Sequence, residues 1–193
     1  MALTRPSLPI PTSRLVSEAI ARFESDARYG PSDRVLSRVF SHHPNNDALE
    51  DVLIKVVLLN GLYNTNVFAI TDMALHIQGL AIDPELARAS PDLVDNIACL
   101  EIRGKTRRHY SFATKYCSSH RPAEYPIYDS LVERLLWAYP AQYPFAQFAR
   151  PDLQDYPKYV AILTKFRGYF KLQEVSFKEL DKFLWFTSKD MAP

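Results

Sequence analysis

The chain has 193 residues, 47% of them hydrophobic and 23% charged, with a formal net charge of +1 at pH 7. This balance excludes a disordered polar chain and supplies the apolar mass for one packed domain, or one domain with a small accessory lobe. Near-neutral net charge excludes a globally basic nucleic-acid or membrane-surface binder, so any electrostatic footprint must be local.

Two cysteines, Cys99 and Cys117, are too few for a disulfide scaffold and have neither C-x-x-C nor histidine spacing for zinc. A reducing, cytoplasmic setting is expected, with no metal and no cofactor. The opening MALTRPSLPIPTSRL is broken by three prolines and has no long apolar core, which argues against a secretory signal. No uninterrupted apolar run of ~18 residues is present to cross a membrane.

Helical periodicity dominates from residue 13 onward. In SRLVSEAIARFESDARY, Leu15, Ile20 and Phe23 recur near helical spacing behind Thr12 or Ser13, predicting a helix to about Ala27. A short helix follows Pro31 through DRVLSRVF, and SHHPNND reads as an exposed loop in which His42 and His43 lack a third ligand. ALEDVLIKVVLLN is apolar on more than one face, which predicts a helix buried mid-domain and stopped at Asn60 and Gly61. Next come NVFAITDMALHIQG, closed by Gly79, then PELARA and PDLVDNIACLEI, each opened by a proline. Helices around Arg108 to Ser118 and Ser130 to Tyr139 precede AYPAQYPFAQFARPD, a loop whose aromatics are costly to expose. YPKYVAILTKFRGYF and SFKELDKFLWF close the chain, the latter started by a Ser176/Glu179 capping box. About nine helices and no convincing strand predict an all-α fold, a single helical domain in which helices 13–40 and 156–187 pack around the middle of the chain.

Several residues carry candidate chemistry. Asp129 is either the N-cap of the helix that follows or, if Ser130 caps through its own box with Glu133, a carboxylate left for another task where the positive end of the helix dipole favours an anion. Arg103, Lys105, Arg107, Arg108 and His109 form the densest basic cluster, read either as a solvated face or as an anion site at a helix N-terminus. Lys115 lies between Phe112 and Tyr116; snorkelling to solvent is the expected behaviour, and a desolvated lysine would be a nucleophile. Cys117 and His120 are three apart near a helix end, weak spacing for a catalytic dyad.

Two stretches resemble the helix-hairpin-helix DNA glycosylase superfamily, in particular its 8-oxoguanine DNA glycosylase branch. LYNTNVFAITDMALHI is similar to the family's Asn-rich turn beside the DNA, with Asn64 and Asn66 at the strand-contacting positions. HRPAEYPIYDSLVERLL is similar to its proline-flanked loop before the catalytic aspartate, onto which Asp129 maps. The resemblance covers roughly residues 50 to 140 and implies a two-lobed helical fold, with a cleft between lobes that takes an extruded base in base excision repair. It further implies that the aspartate stabilises positive charge developing on the sugar and that, in bifunctional members, a lysine attacks the anomeric carbon.

The family's Gly-rich hairpin has no counterpart, since EIRGKTRRH holds one glycine. Counting back from the shared loop, the lysine position falls on or next to His109, which makes Lys105 the nearer substitute and leaves Lys115 deeper in its helix. Arg103, Arg107 and Arg108 would replace backbone amides as phosphate ligands, making DNA binding salt-sensitive. Three readings follow: an N-glycosidic hydrolase, a non-catalytic nucleic-acid or nucleotide binder, and an interaction protein using the aromatic loop around Tyr139 to Phe148 to contact a protein partner.

Overall fold

The computed structural model describes residues 7–191; residues 1–6 of the proline-broken N-terminal stretch lie outside them. The fold is all-α, as the periodicity predicts: ten α-helices and one two-stranded sheet among the described residues. The chain forms two compact units, one from the residues up to Phe23 together with those from Asp129 on, the other Glu24–Tyr128.

In the first unit, α1 (Ser13–Ser25), α8 (Ser130–Ala138), α9 (Tyr156–Tyr169) and α10 (Phe177–Asp190) surround an aromatic core. The expected capping box starts α10: Ser176 Oγ accepts the Glu179 N–H, and the Glu179 carboxylate accepts the Ser176 N–H at 2.7 Å. The proline- and aromatic-rich loop packs inward. Tyr139 and Phe145 are buried, their ring centroids 5.0 and 5.1 Å from that of Phe166. The Tyr139 and Tyr143 hydroxyls donate to the carbonyls of Pro9 and Leu8. Of the loop's aromatics, Tyr143 and Phe148 stay half-buried, Phe148 packed 5.9 Å from the ring of exposed Trp137.

The second unit holds α2 (Tyr29–His42), α3 (Leu49–Tyr63), α4 (Ile70–Leu80), the short α5 (Asp83–Ala87) and α6 (Leu93–Ala98), and α7 (Tyr110–His120). Helix α2 is longer than expected and takes in His42, because Pro31 falls within its first turn, where no intrahelical N–H is needed. Helix α3 runs through Gly61 and stops at Asn64, whose φ of +50° ends it in the left-handed region. It is not buried all round: Val52, Lys55, Val56 and Leu59 face the core, while Ile54 and Val57 are exposed.

The expectation of no strand is corrected at one place. PDLVDNIACLEI is not a single helix: α6 ends at Ala98, and β1 (Cys99–Ile102) pairs antiparallel with β2 (Lys105–Arg108). The register sets Cys99 opposite Arg108, Leu100 opposite Arg107, Glu101 opposite Thr106 and Ile102 opposite Lys105. The two connecting residues, Arg103 at φ +51° and Gly104 at φ +72°, both take the left-handed conformation that a tight two-residue hairpin of the primed type needs. Buried Leu100 between exposed Cys99 and Glu101 gives the alternation that holds β1 in extended form.

Candidate functional site

The hairpin decides where the basic cluster stands. Arg103, Lys105 and Arg107 are exposed on the turn and on β2, the strand that runs through His109 into α7. Arg108 is committed within the unit: its guanidinium donates to Asp95 Oδ1 at 2.6 Å and lies 4.1 Å from the centre of the Tyr110 ring. His109 is buried, its N–H donating to the Ala98 carbonyl at 2.8 Å, and burial followed by the charge of Arg107 pulls its pKa down. A neutral, buried imidazole is a poor phosphate ligand, so the surface cations available are the three on the hairpin.

Asn64 and Asn66 are exposed on the loop between α3 and α4, both at positive φ (+50° and +58°), a conformation that asparagine tolerates better than most residues. Asn60 holds this loop. Its amide nitrogen donates to the Val67 carbonyl, and its amide oxygen accepts the Val67 N–H and the Thr65 hydroxyl. Sequence reasoning read Asn60 as a helix stop; its side chain instead holds Thr65 and Val67 in the loop that follows. Val67 is buried and Phe68, beside it, is 79% exposed. The Arg107 guanidinium lies 5.7 Å from the centre of the Phe68 ring, so the hairpin and the Asn-rich loop meet on one face of this unit. Arg107 and Leu100 are cross-strand partners and share a sheet face, which turns Arg107 toward the body of the unit rather than away from it.

Lys115 does not snorkel. It is 3% exposed, and its ammonium donates to Ser111 Oγ at 2.7 Å and to the Tyr128 carbonyl at 2.9 Å, 5.5 Å from the centre of the Tyr63 ring. Helix α7 grips Tyr128 from both sides, since the Tyr128 N–H donates to Thr114 Oγ1 and its carbonyl also accepts from Ser111 Oγ. This backbone capture, with Tyr125 and Ile127 buried, keeps the proline-flanked loop in place. Lys105, the nearer substitute by counting, is an exposed strand residue opposite Ile102.

Asp129 is the N-cap of α8. Its extended backbone starts the helix, and Oδ1 accepts the Leu131 N–H at 2.8 Å. The box expected from Ser130 and Glu133 does not form, because Ser130 is already the first helical residue and Glu133 pairs with Arg150 at 2.7 Å. Asp129 remains half-buried.

Cys117 is fully buried and its thiol pKa is driven upward by burial, which removes it as a thiolate nucleophile. Burial, aided by the charge of Lys55, pulls His120 down to about 3. A second buried lysine, Lys55, was missed in the sequence. Its ammonium donates to the carbonyls of His43 and Asn45 at 3.0 and 2.7 Å and to Asn46 Oδ1 at 2.7 Å. Asn46 in turn donates through both its backbone and side-chain nitrogens to the Asp83 carboxylate. The one signal was a lone lysine on the apolar side of α3. Three oxygen partners give Lys55 a structural role. No group of three or more His, Cys, Asp or Glu that could hold a metal occurs among the described residues, and no helix there is long and apolar enough to cross a membrane.

Comparison with known proteins bears on kinship rather than chemistry. A protein of Haemophilus influenzae, itself described as uncharacterised, is 40% identical over 146 residues, which cover 75% of this chain and 70% of that one. No solved structure matches the chain. The family HI_0787_N, described as an N-terminal domain, matches residues 15–124, from α1 through the end of α7. The chain therefore belongs to the HI_0787_N family.

Proposed function

We propose that this protein is a divergent glycosylase-like protein that binds DNA through the face of its second unit formed by the hairpin and the Asn-rich loop, and cleaves the N-glycosidic bond of an extruded base. The observation that carries the reading is the meeting of two segments distant in sequence: the cationic hairpin Arg103–Lys105–Arg107 and the exposed Asn64–Asn66 loop, joined where Arg107 lies over Phe68. Cations for phosphates, amides for base or sugar edges and an aromatic face are the three contact classes that nucleic-acid surfaces combine. The reading assigns the amine role to Lys115 rather than Lys105, because only Lys115 has its nitrogen fixed by neighbours, on Ser111 and Tyr128. Asp129, at the aspartate position of the resembled family, takes the role of stabilising positive charge on the sugar. The cytoplasm is the compartment this activity calls for, in keeping with two free cysteines, one of them exposed.

Attack by an amine leaves a reducible Schiff base. Incubation with duplexes carrying an oxidised purine or an abasic site, in the presence of borohydride, is therefore expected to give a covalent adduct with wild type and with Lys105→Ala, and none with Lys115→Gln. Base release without an adduct would move the chemistry to water and remove Lys115 from it. Neither release nor adduct, on duplexes the protein binds, would leave a binding module.

A further inference from the structure

Phe68 is the most exposed large apolar side chain among the described residues, at 79%. Its neighbour Val67 is anchored at 1% exposure and held by both Asn60 bonds, while Asn64 and Asn66 fix the turn in left-handed conformations. The ring is thus presented by a rigid loop rather than left on a loose one. Buried Val67 and half-buried Ala69 flank it in the chain, and across its ring lies the Arg107 guanidinium, with Lys105 and Arg103 further along the same hairpin. An apolar protein partner would leave those cations desolvated, whereas a nucleic acid places phosphates on them and a base face on the ring.

We infer that Phe68 is a base-stacking side chain, which packs its ring against an unpaired nucleobase while the hairpin cations hold the flanking phosphates. The inference rests on the nucleic-acid reading above and adds to it the residue and the kind of contact that recognise a disrupted stack. Stacking on an aromatic side chain tolerates any base, so the site reads the loss of pairing and not the sequence. A protein fixed to such a position also props apart neighbouring bases, as apolar wedges do.

The test uses a fluorescein-labelled duplex with a tetrahydrofuran abasic-site analogue opposite 2-aminopurine, titrated over a potassium chloride series. Phe68→Ala touches no buried contact, so it should fold as wild type does. It is expected to weaken binding about 5- to 150-fold at every salt concentration without changing the salt slope, and to abolish the protein-induced change in 2-aminopurine fluorescence. Lys105→Ala is expected to do the opposite: to lower the salt slope by about one and leave the 2-aminopurine signal at saturation unchanged. Phe68→Trp should keep the affinity, with its own emission quenched on binding. If wild type binds but Phe68→Ala matches it in affinity and in 2-aminopurine response, the stacking role is overturned and the nucleic-acid reading stands. If wild type does not bind at the lowest salt, both fall, and the exposed ring belongs to a protein contact.

Discussion

Replacing Lys55 by methionine keeps the length and most of the volume of the stem but deletes an ammonium that no solvent reaches. Three hydrogen bonds are lost, to His43 O, Asn45 O and Asn46 Oδ1. Bonds from a charged donor are worth about 1.5–3 kcal/mol each, but the total is smaller than their sum for two reasons. The two carbonyls lie on residues that are not fully buried and can turn to water, and Asn46 Oδ1 keeps the Tyr116 hydroxyl at 2.6 Å. Against this stands the desolvation of the ammonium, which pulls the Lys55 pKa down to about 8. A net loss of about 3 kcal/mol follows, or roughly 6–12 °C in Tm for a chain of this size. Urea unfolding followed by circular dichroism measures it directly. The sign of the pH dependence is also fixed. Between about 8 and the ordinary lysine value of 10.5, the unfolded chain holds this proton more tightly than the folded one. The cost of burying this ammonium is therefore absent above that window, where the amine is neutral in both states, and stability falls as pH drops through it, in wild type and not in the variant. A variant within about 0.5 kcal/mol of wild type, with no difference across that window, would refute the structural role given to this network.

Other expectations are as direct. His120 sits between the rings of Phe40 and Tyr116, 4.8 and 5.3 Å away, and burial holds its pKa near 3 against 6.5 in the unfolded chain. It therefore withdraws stability as pH falls from about 6.5 toward 3, by up to about 1.4 kcal/mol per pH unit, and His120→Phe should flatten that acid limb in pH-dependent urea melts. Asp129→Ala should cost about 1 kcal/mol through the lost cap of α8, whereas Asp129→Asn keeps a side-chain oxygen for the Leu131 N–H and should stay within a few tenths. Loss of base release in a fully stable Asp129→Asn protein would then report the charge alone. Gly30→Ala places a Cβ 2.4 Å from the Glu24 carbonyl oxygen, and calorimetry should show a loss of about 1–3 kcal/mol as α2 shifts to relieve it.

Helix periodicity and caps located nearly every helix, because those signals are local: the Ser176–Glu179 box and the apolar spacing of α1 survive whatever packs against them. The hairpin was hidden for a local reason too. Cys99–Ile102 continues the apolar pattern of α6, and an arginine at positive φ ahead of a lone glycine is an uncommon turn pair. Once the strands are placed, the basic cluster divides into exposed Arg103, Lys105 and Arg107, Arg108 bound to Asp95, and buried His109, a division no charge count contains. Lys115 read as snorkelling because its acceptors come partly from Tyr128, in a loop beyond its own helix. For Asp129 and Ser130, two good capping residues in succession differ by one position, and the sequence is silent on which starts the helix. The extended backbone of Asp129 and its bond to the Leu131 N–H decide it in favour of Asp129.

The measurement that bears most directly on the nucleic-acid reading is fluorescence anisotropy of wild type and of the Arg103→Ala/Lys105→Ala/Arg107→Ala variant on a lesion-containing duplex over a salt series. All three side chains are exposed, so their removal should leave the fold intact. Lesion-selective binding by wild type, with a salt slope about three lower in the variant, is the predicted result. No binding by wild type at low salt, or a variant that binds with the same slope, would contradict it.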